Sequence, residues 1–294
     1  MNYVMYVLCM LIWGLNFIAV KIQGNHVSLE VALLYRSVIA LILFTCLLSF
    51  VYKKISIKDF NLYTVLGFGI CNFMISYLLL YYGTFYSTAA MVTLIFSMKA
   101  IITPICISIA FKTKISSRIY IGGIMGILSV LVILFPDLKQ LSNQFIIGIL
   151  LAIAGTVITS IGDVLSLYNS KQRVNPIVAN TIGMMGAVIL LFMYTFIRGE
   201  HYTMPHQFNF WIGLLYLSVL ASFIAWLCYL KLINNIGAAE SGYMVAMFPA
   251  IGGIASVLMG ESTLNIHLII GIALATSGAY IALKKPKHIK VKRG

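Results

Sequence analysis

Apolar residues run along this chain in blocks of about 20, separated by short polar or basic strips. Such a block, with few charges and no alternation, is the length of a helix that crosses the hydrocarbon core of a bilayer. The pattern predicts ten helices, at 3–22, 29–51, 61–82, 88–111, 118–135, 144–169, 176–197, 208–231, 238–260 and 265–283. The third and fourth are separated least clearly, because the predicted turn Tyr82–Thr88 is short and weakly polar. No connection is long enough to form a separate soluble domain. The expected fold class is an all-α integral membrane protein.

Composition agrees. Hydrophobic residues make up 61% of the 294 and charged residues 9%, against roughly 25% charged in a soluble domain. The net charge of +13 would suit a nucleic acid, but the lysines and arginines fall in strips between apolar blocks and form no continuous basic face. Their distribution orients the chain instead. Fifteen lie on one set of connections and the tail: Lys53, Lys54, Lys58, Lys112, Lys114, Arg118, Lys171, Arg173, Lys231, Lys284, Lys285, Lys287, Lys290, Lys292 and Arg293. The opposite set holds Lys139 and Arg198. Both termini are therefore expected in the cytoplasm of a bacterial inner membrane. The first block starts at Tyr3 without a basic n-region or an A-x-A site, so it reads as a span and not a cleaved signal. Five cysteines, all inside apolar blocks, lack the spacing of a disulfide framework or zinc site and read as packing residues.

Five predicted helices on each side of 136–143 suggest two repeats, 1–140 and 141–284, followed by a basic cytoplasmic tail, 285–294. An odd number of helices per repeat would invert one relative to the other, a common carrier plan. A shift of 149 residues aligns Ala89-Ala90 with Ala238-Ala239, Met98 with Met247, Ile102 with Ile251, and Ile121-Gly122 with Ile270-Gly271. Two of the six prolines, Pro104 and Pro249, fall inside predicted spans four and nine. Proline frees a carbonyl and bends a helix, so these two are expected to break the spans beside a solute site.

Trp13-Gly14-Leu15-Asn16-Phe17 followed by Lys21 is close to an opening W-G-x-N-F…K, and Arg36 stands in Tyr35-Arg36-Ser37 in the second block. The second half has Leu215–Ser222, then Ile236-Gly237-Ala238-Ala239-Glu240, Pro249, Met259-Gly260-Glu261, Gly271 and Gly278. With these motifs the chain resembles the drug/metabolite transporter superfamily, and within it the EamA family, over nearly its whole length. The first half departs from the pattern: Lys99-Ala100 stands where the family's proline would fall, and Lys112-Thr113-Lys114 replaces an expected acidic residue. The resemblance implies ten helices in two inverted five-helix repeats, a central cavity, and transport of amino acids or related metabolites.

Several residues could carry the chemistry. Lys99 is near the middle of its span, too deep to snorkel easily, so it should face a cavity or a partner. It is either a counter-ion for a solute carboxylate or phosphate, or an ion-pair partner of Asp163. Trp13 and Asn16, three apart, share a helix face and are expected to line the cavity. Asn72 lies mid-span, and Tyr77, Trp226 and Tyr243 are candidate aromatic walls. Asp163 is a candidate for proton coupling or gating, with a simpler reading as an interfacial carboxylate near Lys171. Arg36, roughly 10 Å inside the outer boundary by helical rise, is with Asp163 a candidate for coupling or gating; it would guide an anionic solute or pair with Glu30. Glu240 and Glu261 sit at span ends and read as solvated. Gly122 with Gly126, and Gly271 with Ala275, are small-residue patterns for close helix packing, within the chain or across a homodimer seam.

The expected function is a secondary transporter for a small polar metabolite, working by alternating access, with export favoured over uptake. A coupling proton or ion is a further expected partner, besides the solute and the lipid; the expected state is monomer or homodimer. No nucleic acid, cofactor or metal is expected. A membrane-embedded enzyme would need a motif such as H-E-x-x-H or G-x-S-x-G, and the sequence has neither. A channel is the remaining class, to be distinguished by the absence of counterflow.

Overall fold

The computed structural model describes residues 2–51, 60–112, 114, 116–135, 142–236 and 243–283. The Lys53–Lys58 strip, Lys139, Glu240 and the 284–294 tail lie outside the described residues. Among the described residues all regular structure is helical. In chain order the helices are α1 (Asn2–Gly14), α2 (Asn16–Gln23), α3 (Leu29–Val51), α4 (Leu62–Gly69), α5 (Ser76–Tyr86), α6 (Ala89–Ser97) and α7 (Lys99–Phe111). There follow α8 (Ser117–Leu134), α9 (Asn143–Lys171), α10 (Pro176–Ile197), α11 (Phe208–Leu215), α12 (Ala225–Ile236), α13 (Phe248–Leu258) and α14 (Ile266–Leu283). A π-helical stretch, Ile70–Ile75, fuses α4 to α5, and another, Tyr216–Ile224, fuses α11 to α12. A 3₁₀ turn, Tyr243–Met247, leads into α13.

Among the described residues each predicted block is largely helical, and seven helical stretches, with α4–α5, α6–α7 and α11–α12 each taken as one, are long and apolar enough to cross a membrane. The α1–α2 pair would add an eighth, bent by 44°. Met244–Leu258 and Ile266–Ala282 are shorter apolar helices. The chain is a multi-pass α-helical membrane protein.

Polar caps set several helix starts. Asn61 accepts from Tyr63 N–H, Thr88 from Met91, Ser142 from Phe145, and Asn175 from Ile177, with Pro176 opening α10. The turn expected over Tyr82–Thr88 is shorter than predicted: α5 continues to Tyr86, leaving only Ser87 and Thr88 before α6. The α1–α2 bend has an identifiable cause. The Tyr216 hydroxyl donates to Ile12 O, inserting a side chain into the backbone ladder just before Leu15.

The molecule is apolar on the outside. Ile124, Leu150, Phe196, Ile197 and Leu258 are exposed, while Ser76, Thr84, Thr93, Thr156, Ser160 and Ser218 are fully buried. Many buried hydroxyls bond back to a carbonyl three or four residues earlier, as in Thr84 to Leu80 O and Ser218 to Leu214 O. In lipid this satisfies polar groups without water. The small-residue patterns join helices within the chain: a Cβ on Gly122 of α8 would stand 2.5 Å from Gly278 O of α14. Only glycine permits that approach.

Candidate functional site

Three backbone interruptions bear on the candidate site. In the first π-helical stretch Ser76 N–H reaches back five residues to Cys71 O, so Asn72 O loses its ordinary partner and accepts the Ser76 hydroxyl at 3.0 Å. In the second, Ala225 N–H reaches back to Leu220 O, and the freed Ala221 O accepts the Trp13 indole at 3.0 Å. The 149-residue shift maps Asn72 onto Ala221 and Ser76 onto Ala225. The two halves therefore free the same carbonyl and satisfy it with different side chains. Such bulges are frequent at functional sites.

The third interruption separates α6 from α7 at Met98, and its counterpart is Met247, which precedes α13. This corrects the expectation for the prolines. Pro104 lies within the continuous α7, six residues beyond the break, while Pro249 occupies the first turn of α13. A first-turn proline gives up an N–H that has no helical partner, so Pro249 starts a helix and does not break one. The methionines correspond under the repeat, and the prolines do not.

Trp13, Trp226, Tyr229 and Phe73 form an edge-to-face aromatic cluster with ring centroids 5.2–6.1 Å apart. Phe73 continues it to Tyr77 at 6.2 Å. Of the expected wall residues, Trp13, Tyr77 and Trp226 are thus brought together; Tyr243 opens the 3₁₀ turn. Asn72 is buried, donates to Phe68 O and packs against Gly162.

The three cations inside the helices have different surroundings. Lys99 Nζ is 2.9 Å from Asp163 Oδ2, which also accepts from Thr103 at 3.1 Å. The ion-pair alternative for Lys99 is therefore the arrangement observed. Asp163 is not the partner of Lys171, whose ammonium lies over the Phe111 ring at 3.7 Å. Lys21 Nζ lies 3.0 Å from Glu261 Oε1 and donates to Ser87 O at 3.3 Å. That contact is ionic more than directional, because Oε1 receives no well-formed hydrogen bond. Glu261 Oε2 accepts from Ala89 N–H, the first amide of α6, at 3.0 Å, and from Ser256. Glu261, expected to be solvated, is a clasp between α2, α6 and the α13–α14 turn.

Arg36 has no carboxylate within ion-pair distance among the described residues. It is 1% exposed. Its Nε donates to Ser222 Oγ at 2.9 Å, Nη1 to the Tyr81 hydroxyl at 3.4 Å and Nη2 to Asn16 Oδ1 at 3.4 Å. The guanidinium carbon lies 4.3 Å from the Tyr77 ring centroid, a cation–π contact. The expected pairing with Glu30 does not occur. Glu30 is buried and accepts the Tyr82 hydroxyl at 2.6 Å. Glu30 and Tyr82 both line a cavity of about 470 Å³ beside Arg198 and Glu200.

Gln23, Tyr81 and Ser222 were not singled out by the sequence. Gln23 is 1% exposed, accepts from Tyr81 at 3.4 Å, and its Nε2 has no partner. A neutral amide at a span end gives no signal in composition or periodicity.

A model of the EamA-like transporter family matches residues 1–135 and again 146–284. The chain belongs to the EamA-like transporter family. This EamA-like transporter is 24% identical over 248 residues to an uncharacterized transporter of Clostridium kluyveri, covering 81% of this chain and 78% of the relative. It is 23% identical over 273 residues to one of Archaeoglobus fulgidus, covering 93% and 95%. A crystal structure at 16% identity superposes with a TM-score of 0.68 over 96% of both chains, which establishes likeness of fold. Membership of this family makes the chain a membrane transporter with a small-molecule substrate.

Proposed function

We propose that this chain is a secondary carrier for a small polar metabolite, an amino acid or related organic solute, working by alternating access in the export direction. The paired interruptions carry this reading. Freed carbonyls at Asn72 and Ala221, and helix restarts after Met98 and Met247, occur at corresponding places in two halves that each match the family model. Discontinuous helices at matching positions of two repeats are where carriers bind solute and hinge. Ten membrane crossings in two inverted repeats accommodate the seven long helices, the bent α1–α2 pair and the two shorter helices. The Lys and Arg bias supports cytoplasmic termini in a bacterial inner membrane. Trp13, Asn16, Tyr77 and Trp226 line the path in this reading; the Lys99–Asp163 pair gates or couples it.

Counterflow in proteoliposomes tests the proposal. Vesicles preloaded with an unlabelled solute should take up the labelled one transiently above equilibrium, with saturable kinetics. Linear, non-saturating flux without counterflow would mark a channel and overturn it.

A further inference from the structure

We propose that Arg36, Gln23 and Tyr81 form the anion-recognising end of the solute site, and that the solute is a monocarboxylate. This deepens the carrier reading and rests on it. The charge balance of the interior comes first. Lys99 and Lys21 each have a carboxylate within 3.0 Å, whereas Arg36, the most buried of the three, has only neutral oxygens and an aromatic face. A cation withdrawn from water without a counter-ion is held at a penalty that one anionic group would relieve.

The hydrogen-bond count is a second, independent observation. A guanidinium has five N–H donors, and three bonds are made here. The 2.9 Å bond from Nε to Ser222 fixes its plane, while both Nη contacts, at 3.4 Å, are near the limit for a hydrogen bond. A carboxylate taking the two Nη groups would replace the weak contacts and keep the strong one. Beside them, the buried Gln23 Nε2 is a donor without an acceptor, reached through the Tyr81 hydroxyl. A third donor is thus available to a carboxylate seated on Arg36.

One cation with neutral donors suits a single negative charge. A phosphate monoester dianion would bring a second charge with no cation left to meet it, and a neutral solute would leave Arg36 uncompensated. The face of Tyr77, continued by Phe73 and Trp226, would meet the apolar part of the solute.

The test uses the full chain in nanodiscs and proteoliposomes, with pyruvate, benzoate and L-leucine each compared with its amide, and with inorganic phosphate. At least one carboxylate should raise the unfolding temperature, and its amide and phosphate should not. Gln23→Leu should weaken that binding about tenfold. Gln23→Glu places a carboxylate beside Arg36 and should abolish binding while the protein stays folded. Equal binding of acid and amide, no stabilisation by any carboxylate, or undiminished affinity in Gln23→Glu would overturn the assignment. Counterflow of amides with Arg36-independent affinity would overturn the carboxylate and leave the carrier intact. Carboxylate binding without counterflow of any probe would support the site and sink the carrier reading.

Discussion

Arg36 and Lys99 are both cations deep in apolar helices, and their surroundings differ in one respect. Lys99 has Asp163 at 2.9 Å, with Thr103 completing the carboxylate's bonding. Arg36 has two hydroxyls, an amide oxygen and the face of a tyrosine. The pair is neutral as a unit and partly exposed, at 21% and 25% of side-chain area. The arginine is fully enclosed, and a guanidinium in a protein does not shed its proton to escape burial. Depth alone therefore does not identify a solute contact. In the proposed reading a deep cation with its own carboxylate braces or gates the site, and one without meets the solute anion.

Breaking the pair should have the largest effect. Asp163→Asn leaves Lys99 without its carboxylate, and is expected to lose about 2–3 kcal/mol, less than the roughly 3–5 kcal/mol that severing a fully buried pair costs, because both groups reach some water. The double variant Lys99→Met/Asp163→Asn should recover most of that loss. Thermal unfolding in nanodiscs measures both. If the double variant is no more stable than Asp163→Asn, Asp163 acts through Thr103 and Ser160 and not through Lys99.

The sequence showed where helices run because lipid imposes a length on each apolar block, and Lys99 was legible because a mid-span charge is rare. It also named Asp163 as the alternative partner, one of only 7 acidic residues in the chain. The partner expected for Arg36 was wrong for a geometric reason. Glu30 and Arg36 are six residues apart on one helix, which turns their side chains about 120° from each other; neighbours on a face are three or four apart. The π-helical stretches left no trace in the pattern, since they depend on Ser76 and on Trp13 from another helix meeting freed carbonyls. Pro104 misled because proline marks a backbone weakness, whereas the α-helical bonding is interrupted at Met98, where Lys99 begins α7.

Arg36→Met tests the other side of the comparison and should change stability in the opposite direction. Removing an uncompensated buried charge while keeping an unbranched side chain should raise the unfolding temperature of the solute-free protein, by about 1 kcal/mol in stability after the lost bonds to Ser222 and Tyr77 are discounted. Transport should be lost in the same variant. A destabilisation above about 2 kcal/mol would make Arg36 a structural tie between α3 and the second π-helical stretch and remove the contrast with Lys99.

The third cation provides the smallest and most selective test. Lys21 and Glu261 are exposed about as much as Lys99 and Asp163, but they lie at the ends of their helices, where salt reaches a pair more readily than at mid-span. Glu261→Gln keeps the length of the side chain and a carbonyl for Ala89 N–H, but removes the charge facing Lys21 and the first turn of α6. The expected loss is about 1 kcal/mol, and it should shrink as salt is raised, whereas the Asp163→Asn loss should barely respond. Equal salt dependence of the two would mean that depth along the span does not separate them. A salt-sensitive clasp at Lys21 beside a salt-insensitive pair at Lys99 would make Lys21–Glu261 the contact more easily opened from water, as a closure that must part during transport requires.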